Sequence, residues 1–291
     1  MLINLSEMPS GFCDRLRLIT FVIALAKLKD KKNCNLKIYE KQTVESPYLF
    51  SSLCKVKNFK IVKVNKILKN DFSIKMNPYN SSLSIANAKK LNPFKNLSPQ
   101  VLFNTWKESY KLIEPNDNIK KKINNLKLPK DYISVHVRAT DKLVNLITKL
   151  TEIPSKTTIL ESQLKFFIKN LHKDLENFSN SKNVYIACDN EKYKKIIISN
   201  LIKYHFKVYY NDIKFDTKKL RQTSGDDFAV DLFVLSKSKI IISSTGGGVP
   251  STASNISKKN IKFVNYVDRI NFFYLLNIIS NLIFFFRNIF K

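Results

Sequence analysis

From residue 132 to residue 264 short apolar runs alternate with longer helical stretches, and this rhythm restricts the fold more than any other feature of the chain. Tyr132-Ile133-Ser134-Val135-His136-Val137 reads as a buried strand. Helices are expected over 157–178, 191–202 and 226–236, strands over 183–187, 206–210, 239–243 and 262–264, and a last helix near Pro250. Strands separated by helices pair in parallel through right-handed crossovers. The expected class is therefore α/β, with no internal repeat.

The first half is less regular. Residues 1–5 read as a strand, Pro9-Ser10-Gly11 as a turn, and 16–28 as a helix apolar enough on all sides to be buried. Residues 36–39 and 60–64 alternate as strands do, and 77–82 form a loop. Pro115-Asn116-Asp117 can cap a short helix over 118–126, which Pro129 stops. A chain of 291 residues has the length of two domains, and 110–130 is the natural junction. We expect one domain over 1–128, a second over 129–266 and a terminal segment over 267–291. That last segment is strongly apolar over 270–286, with basic residues at both ends and interruptions at Asn271, Asn277, Ser280 and Asn281. A spanning helix needs about 20 mainly apolar residues. Two readings stay open: a helix packed back on the protein, or an interfacial helix on a membrane.

The formal net charge is +27, from 50 basic and 23 acidic residues. The basic residues are mostly lysines spread along the whole chain. A coding bias towards Lys, Asn and Ile gives this pattern, and so does attraction to an anionic partner such as a lipid surface. Arginine is rare, so its positions are informative: Arg15, Arg17 and Arg138 fall in two segments singled out below. Cys13, Cys34, Cys54 and Cys188 are scattered without a C-x-x-C pair, which argues against structural zinc and for free thiols. No basic stretch followed by an apolar one precedes the first strand, so no secretory leader is expected.

Five segments carry chemistry. The strand 132–137 runs directly into Arg138-Ala139-Thr140-Asp141-Lys142, placing His136 and Arg138 at a strand's carboxyl end, where open α/β sheets bind ligands. A guanidinium grips phosphate oxygens with a planar fork; the alternative is a salt bridge of Arg138 with Asp141. Gly11, ahead of the first helix, allows a ligand close approach to backbone at a helix N-terminus, or is an ordinary turn. Asp231 lies among apolar residues of a helix and needs donors, from a guanine edge or from within the protein. Ser244-Thr245-Gly246-Gly247-Gly248 opens from a strand towards a helix, a geometry suited to phosphate. It is neither a Walker A loop nor G-x-G-x-x-G. Asp189 ends a strand and serves as a helix N-cap or a ligand contact.

In this order the segments resemble the fucosyltransferase superfamily of GT-B fold, which includes α-1,6-fucosyltransferases, bacterial nodulation fucosyltransferases and protein O-fucosyltransferases. Its members carry a Gly-x-Gly loop, His-Val-Arg-Arg-Thr-Asp-Lys, a Val-Tyr-x-Ala-Thr-Asp strand end, an Asp-x-x-x-Leu-Ser helix and a Ser-rich loop. The resemblance covers about two-thirds of the chain, and residues 40–110 carry no motif. It implies two Rossmann-like domains with parallel sheets facing across a cleft, the donor in the second and the acceptor in the first. It also implies inverting transfer from GDP-fucose to a glycan or glycolipid acceptor, without a cofactor or metal, in the cytoplasm or at the inner face of a membrane. The role implied for Arg138 is stabilisation of the leaving diphosphate. Those implied for His136 and Asp231 are to hold the guanine, and Gly11, Ser244, Thr245, Gly246, Gly247 and Asp189 complete the donor site.

The departures are Ala139 for the second arginine, Cys13 for a glycine and Gly246-Gly247 for a serine pair. The glutamate that often follows the lysine is missing from Leu143-Val144-Asn145-Leu146, leaving Asp141 or Glu152 as candidate base. These differences bear more on fucose than on nucleotide-sugar transfer, so another nucleotide sugar stays open. Two other classes fit the residues less well. A basic nucleic-acid-binding protein would show interleaved aromatic and basic residues, which this chain lacks. A degenerate transferase acting as a membrane scaffold would not keep the donor motif.

Overall fold

A computed structural model describes residues 2–4, 11–29, 35–42, 46–64, 96–144, 158–216, 222–259 and 261–265. The loop expected at 77–82, Cys34, Arg221, Glu152 and the segment 267–291 lie outside the described residues. The chain divides into two compact units, Met1–Lys121 with Asn255–Lys258, and Lys122–Ser254 with Lys259–Lys291.

The first unit contains a three-stranded parallel sheet of β1 (Leu2–Asn4), β2 (Asn35–Tyr39) and β4 (Lys60–Lys63), with β2 in the middle. Helix α1 (Phe12–Leu28) is longer than expected and buries Leu16, Ile19 and Ile23 completely. Helix α3 (Pro99–Ser109), which the sequence did not mark, packs on it. The contact is anchored by Trp106, whose ring meets Phe21 edge-on at 4.9 Å and whose Nε1–H reaches the Arg17 carbonyl at 3.2 Å and Thr20 Oγ1 at 3.1 Å. A buried tryptophan needs such an acceptor for its one polar atom. The buried Glu40 carboxylate accepts the Phe50 and Ser51 N–H groups of the short α2 (Phe50–Leu53), at 2.8 and 3.1 Å. Strands β3 (Cys54–Val56) and β5 (Ile113–Pro115) form a separate antiparallel pair. Helix α4 (Asp117–Asn125) starts where expected, its first turn closed by Asn116 Oδ1 on the Ile119 N–H at 2.8 Å.

The second unit is built on a five-stranded parallel sheet. Its strands are β6 (Ile133–Val137), β9 (Asn183–Cys188), β10 (Lys207–Tyr210), β11 (Ile240–Ser243) and β12 (Lys262–Asn265), in the order β10-β9-β6-β11-β12. The chain starts in the middle at β6, works outwards through β9 and β10, then returns to place β11 and β12 on the other side. This is the order of a Rossmann half-fold, and its topological switch point lies between β6 and β11.

Alternation along the strands gives the sheet two faces. Ile133, Val135 and Val137 of β6, with Val184 and Ile186 of β9, join one apolar cluster with helices α5 (Glu161–Phe178) and α6 (Glu191–Lys203). The opposite residues, Tyr132, Ser134, His136, Tyr185 and Ser243, lie on the side of α7 (Gly225–Leu235): Tyr132 donates to the Val234 carbonyl at 2.7 Å and Tyr185 to Asp231. Helix α5 begins at Glu161 rather than near 157. Ile159–Leu160 instead forms β8, paired with β7 (Leu143–Val144), and Gln163 Oε1 takes the Leu160 N–H at 2.8 Å. Three of the cysteines, Cys13, Cys54 and Cys188, are buried free thiols. No helix among the described residues is long and apolar enough to cross a membrane.

Candidate functional site

The carboxyl ends of β6, β9 and β11 bring together most of the residues marked in the sequence. His136 and Ser243 are register partners across the switch point. The Ser243 hydroxyl donates its single proton to the Thr245 carbonyl at 2.6 Å, so it accepts from His136 Nδ1 at 3.1 Å. This network assigns the tautomer and leaves Nε2 with its lone pair as an acceptor. Burial, reinforced by the Arg138 charge, lowers the His136 pKa from its ordinary 6.5 to about 3. The ring is therefore neutral at any physiological pH.

Arg138 leaves β6 and folds back on Asp141, three residues on. Nε and Nη2 donate to the two carboxylate oxygens at 2.9 and 2.8 Å, with both side chains only 17% exposed. The pairing that the sequence left open against phosphate binding is therefore present. It occupies the side edge of the guanidinium; a phosphate would meet the end-on edge, which this geometry holds in a fixed direction. Asp141 also lies 4.0 Å from Lys142 Nζ.

Asp189 has a different local role from the expected one. The N-cap of α6 is Asn190, whose Oδ1 accepts the Tyr193 N–H at 3.2 Å. Asp189 instead braces the turn after β6, accepting Ala139 N–H and Thr140 Oγ1–H, both at 2.7 Å. Burial raises its pKa against those two hydrogen bonds. Ala139 is 3% exposed and its amide is part of this brace, so a long side chain in its place would have no room.

The β11 end is stitched to β6 as well: Ser244 N donates to the His136 carbonyl at 3.0 Å and its Oγ accepts the Arg138 N–H at 3.4 Å. Ser244 and Thr245 are buried. Gly246 and Gly247 then lead to α8 (Gly248–Ile256). A Cβ on Gly247 would meet nothing within 4 Å, and no glycine of the chain has positive φ, so neither packing nor backbone strain requires glycine there. Close approach of a ligand to the peptide is a reason that remains. Gly11, at the N-cap of α1, belongs to the first unit; its carbonyl accepts the Asp14 and Arg15 N–H groups at 3.0 and 3.2 Å.

Asp231 is buried at 9% exposure on α7. Burial raises its pKa from 3.8 to about 7, against the Tyr185 hydrogen bond and the Lys194 charge, with Asp227 and Asp189 adding to the rise. Tyr185 and Lys194 were not marked in the sequence: Tyr185 sits in an apolar strand and Lys194 is one lysine among many. No group of three or more His, Cys, Asp or Glu side chains among the described residues is arranged to hold a metal ion.

No family model matches the chain, and no curated protein does. Solved structures do. POFUT1 in complex with GDP-fucose superimposes with a TM-score of 0.54 at 12% identity, covering 90% of this chain and 97% of that one. The fucosyltransferase NodZ from Bradyrhizobium gives 0.52 at 11%, covering 88% and 93%. The NodZ α-1,6-fucosyltransferase soaked with GDP-fucose gives 0.51 at 12%, covering 88% and 92%. The fold is that of these fucosyltransferases. The expected α/β class with parallel sheets is what the chain adopts.

Proposed function

We propose that this chain is a glycosyltransferase that takes a guanosine diphosphate sugar, with fucose as the sugar, and passes it to a glycan acceptor with inversion and without a metal. The observation that carries the reading is the convergence, at the switch point of a Rossmann-ordered sheet, of a neutral histidine, a carboxylate-braced arginine and a glycine turn entering a helix. Of the structures with the same fold, POFUT1 is in complex with GDP-fucose and NodZ was soaked with it, which supports the choice of nucleotide.

In this reading an acceptor hydroxyl attacks the anomeric carbon as the bond to the diphosphate breaks. Negative charge grows on the leaving diphosphate. The end-on edge of Arg138 and the N–H groups at the start of α8 meet that charge with donors already in position. Asp141 keeps the guanidinium aimed, so its part is orientation, and Glu152 stays the candidate base that takes the acceptor's proton. His136 Nε2 and the Asp231 carboxylate are acceptors for the N–H groups of a guanine edge. Asp189 acts on the donor through the turn it braces. Recognition of the acceptor is assigned to the first unit, and a backbone role in donor binding to Gly11. The enzyme works in the cytoplasm or at the inner face of a membrane, on an oligosaccharide or glycolipid.

Ala139 in place of a second arginine constrains the sugar less than the base, so another GDP-sugar is the second reading. The test is transfer from radiolabelled GDP-fucose to mixed oligosaccharide acceptors by the wild type and Arg138→Ala. Removing one preorganised donor costs about 10²–10³ in kcat. Transfer that survives Arg138→Ala sinks the proposal.

A further inference from the structure

Tyr185 is fully buried in the middle of β9, on the side of the sheet that faces α7, and the donor site described above does not use it. A buried hydroxyl costs stability unless it finds a partner. This one donates to Asp231 Oδ1 at 2.5 Å. Among the described residues that is the one hydrogen bond on the Asp231 carboxylate, so Oδ2 keeps its lone pairs for another donor. Both members of the pair are buried, which makes the bond count for more than it would at a surface.

A carboxyl group has two forms with opposite hydrogen-bonding character. Ionised, it only accepts; protonated, it offers one O–H donor beside a carbonyl acceptor. The two purines match these forms differently. A guanine edge presents a ring N–H beside an amino group, both donors, and pairs with the carboxylate. An adenine edge presents a ring-nitrogen lone pair beside its amino group, and pairs with the acid. A donor held on Oδ1 stabilises the charged form, while burial opposes it. The phenol of Tyr185 is therefore placed to decide which purine this carboxyl accepts.

We propose that Tyr185 sets the purine preference of the donor site: by donating to Asp231 Oδ1 it holds that side chain as a carboxylate, the form that pairs with guanine and turns adenine away. This rests on the donor reading given above. Tyr185 acts through Asp231 and is a positioning residue. Burial and the Asp231 charge push its own hydroxyl well up, so it stays a donor through neutrality. The groups that act on Asp231 are Tyr185 of β9, Lys194 of α6, Asp227 of its own helix and Asp189 at the end of β9. Tyr132, just ahead of β6, is engaged with the Val234 carbonyl of the same helix, and His136, lowered to about 3, stays neutral. Burial raises Asp231 to about 7 against the Tyr185 hydrogen bond, which brings its change of form into an accessible range.

The test is calorimetric titration of GDP and ADP between about pH 5.5 and about pH 8.5. The two carry the same diphosphate, so its ionisation cancels in the ratio of their affinities. In the wild type GDP should be preferred at least about a hundredfold at the upper end. That preference should fall about tenfold or more towards the lower end, as Asp231 takes up its proton. Tyr185→Phe keeps the ring and removes the hydroxyl. It should move the midpoint up by about one pH unit and cut the preference about tenfold at about pH 7.5, with ADP bound more tightly than by the wild type. Structural damage weakens both nucleotides and cannot produce that gain. If Tyr185→Phe does not fold, Asp231→Asn, whose amide sets a donor beside an acceptor as the acid does, should show a low preference that no longer changes with pH. A Tyr185→Phe preference equal to that of the wild type overturns the proposal, as does a wild-type preference that stays flat across this range while GDP binds. A wild type that binds no guanine nucleotide at all refutes the donor reading, and this proposal with it.

Discussion

The five-stranded sheet has two faces made by alternate residues of the same strands, and they do opposite work. On one, Ile133, Val135, Val137, Val184 and Ile186 pack into one apolar cluster with residues of α5 and α6. On the other, Ser134, His136, Tyr185 and Ser243 occupy equally buried positions, facing a helix that carries Asp231. Burying polar groups stabilises little and demands partners. A chain that places them in successive strand ends on one face does so for something other than stability. The apolar face holds the sheet rigid, and the polar face uses that rigidity to fix acceptors and an arginine at the switch point.

The comparison can be broken from either side. Phe167 of α5 is completely buried in the apolar cluster. Phe167→Ala should lose about 3–5 kcal/mol in urea denaturation, while the KM of the remaining folded molecules for the donor stays unchanged. A changed KM with unchanged stability would mean that the two faces are not divided as described.

The polar face should show itself in pH. Folded His136, at about 3 against an ordinary 6.5, binds fewer protons than the unfolded chain in that window. Its contribution is complete above about 6.5 and is lost as pH falls towards 3. Folded Asp231, at about 7 against 3.8, binds more protons, so its contribution is complete below about 3.8 and is lost as pH rises towards 7. The two slopes oppose each other between about pH 4 and about pH 6.5, each at up to about 1.4 kcal/mol per pH unit. Denaturation midpoints should therefore vary little across this range in the wild type. In His136→Gln they should fall with rising pH. A His136→Gln profile as flat as the wild type would contradict the assignment.

The smallest effect concerns Ser134, whose buried hydroxyl has no protein hydrogen-bond partner. Ser134→Ala should raise stability by up to about 1 kcal/mol and leave transfer intact. A loss of donor affinity instead would move Ser134 from the scaffold into the site.

The division of labour was partly legible in the sequence. His136 and Arg138 at a strand end and Asp231 within a helix stood out because polar residues interrupt apolar runs, and the parallel order followed from the alternation of elements. The Arg138–Asp141 pair was visible as an alternative to phosphate binding, yet only the geometry shows that the carboxylate takes Nε and Nη2, one edge of the guanidinium. Asp189 and Asn190 are adjacent and both suit a cap, so spacing could not say which one turns inward. Lys194 and Tyr185 were hidden for opposite reasons: one resembles every other lysine, the other resembles a core aromatic. In the first unit, α3 went unmarked because its apolar face is narrow. Strands β3 and β5 are three residues each, and pairing partners far apart in the chain define them.

The central claim is that the β6–β11 switch point binds a guanine nucleotide through Arg138 and the acceptors beside it. Isothermal titration of GDP, UDP and CMP into the wild type and Arg138→Ala tests it directly. The account predicts saturable GDP binding, at least about tenfold weaker UDP and CMP binding, and a loss of about tenfold to a hundredfold in GDP affinity for the variant. Absence of GDP binding, or GDP affinity indifferent to Arg138→Ala, would contradict it.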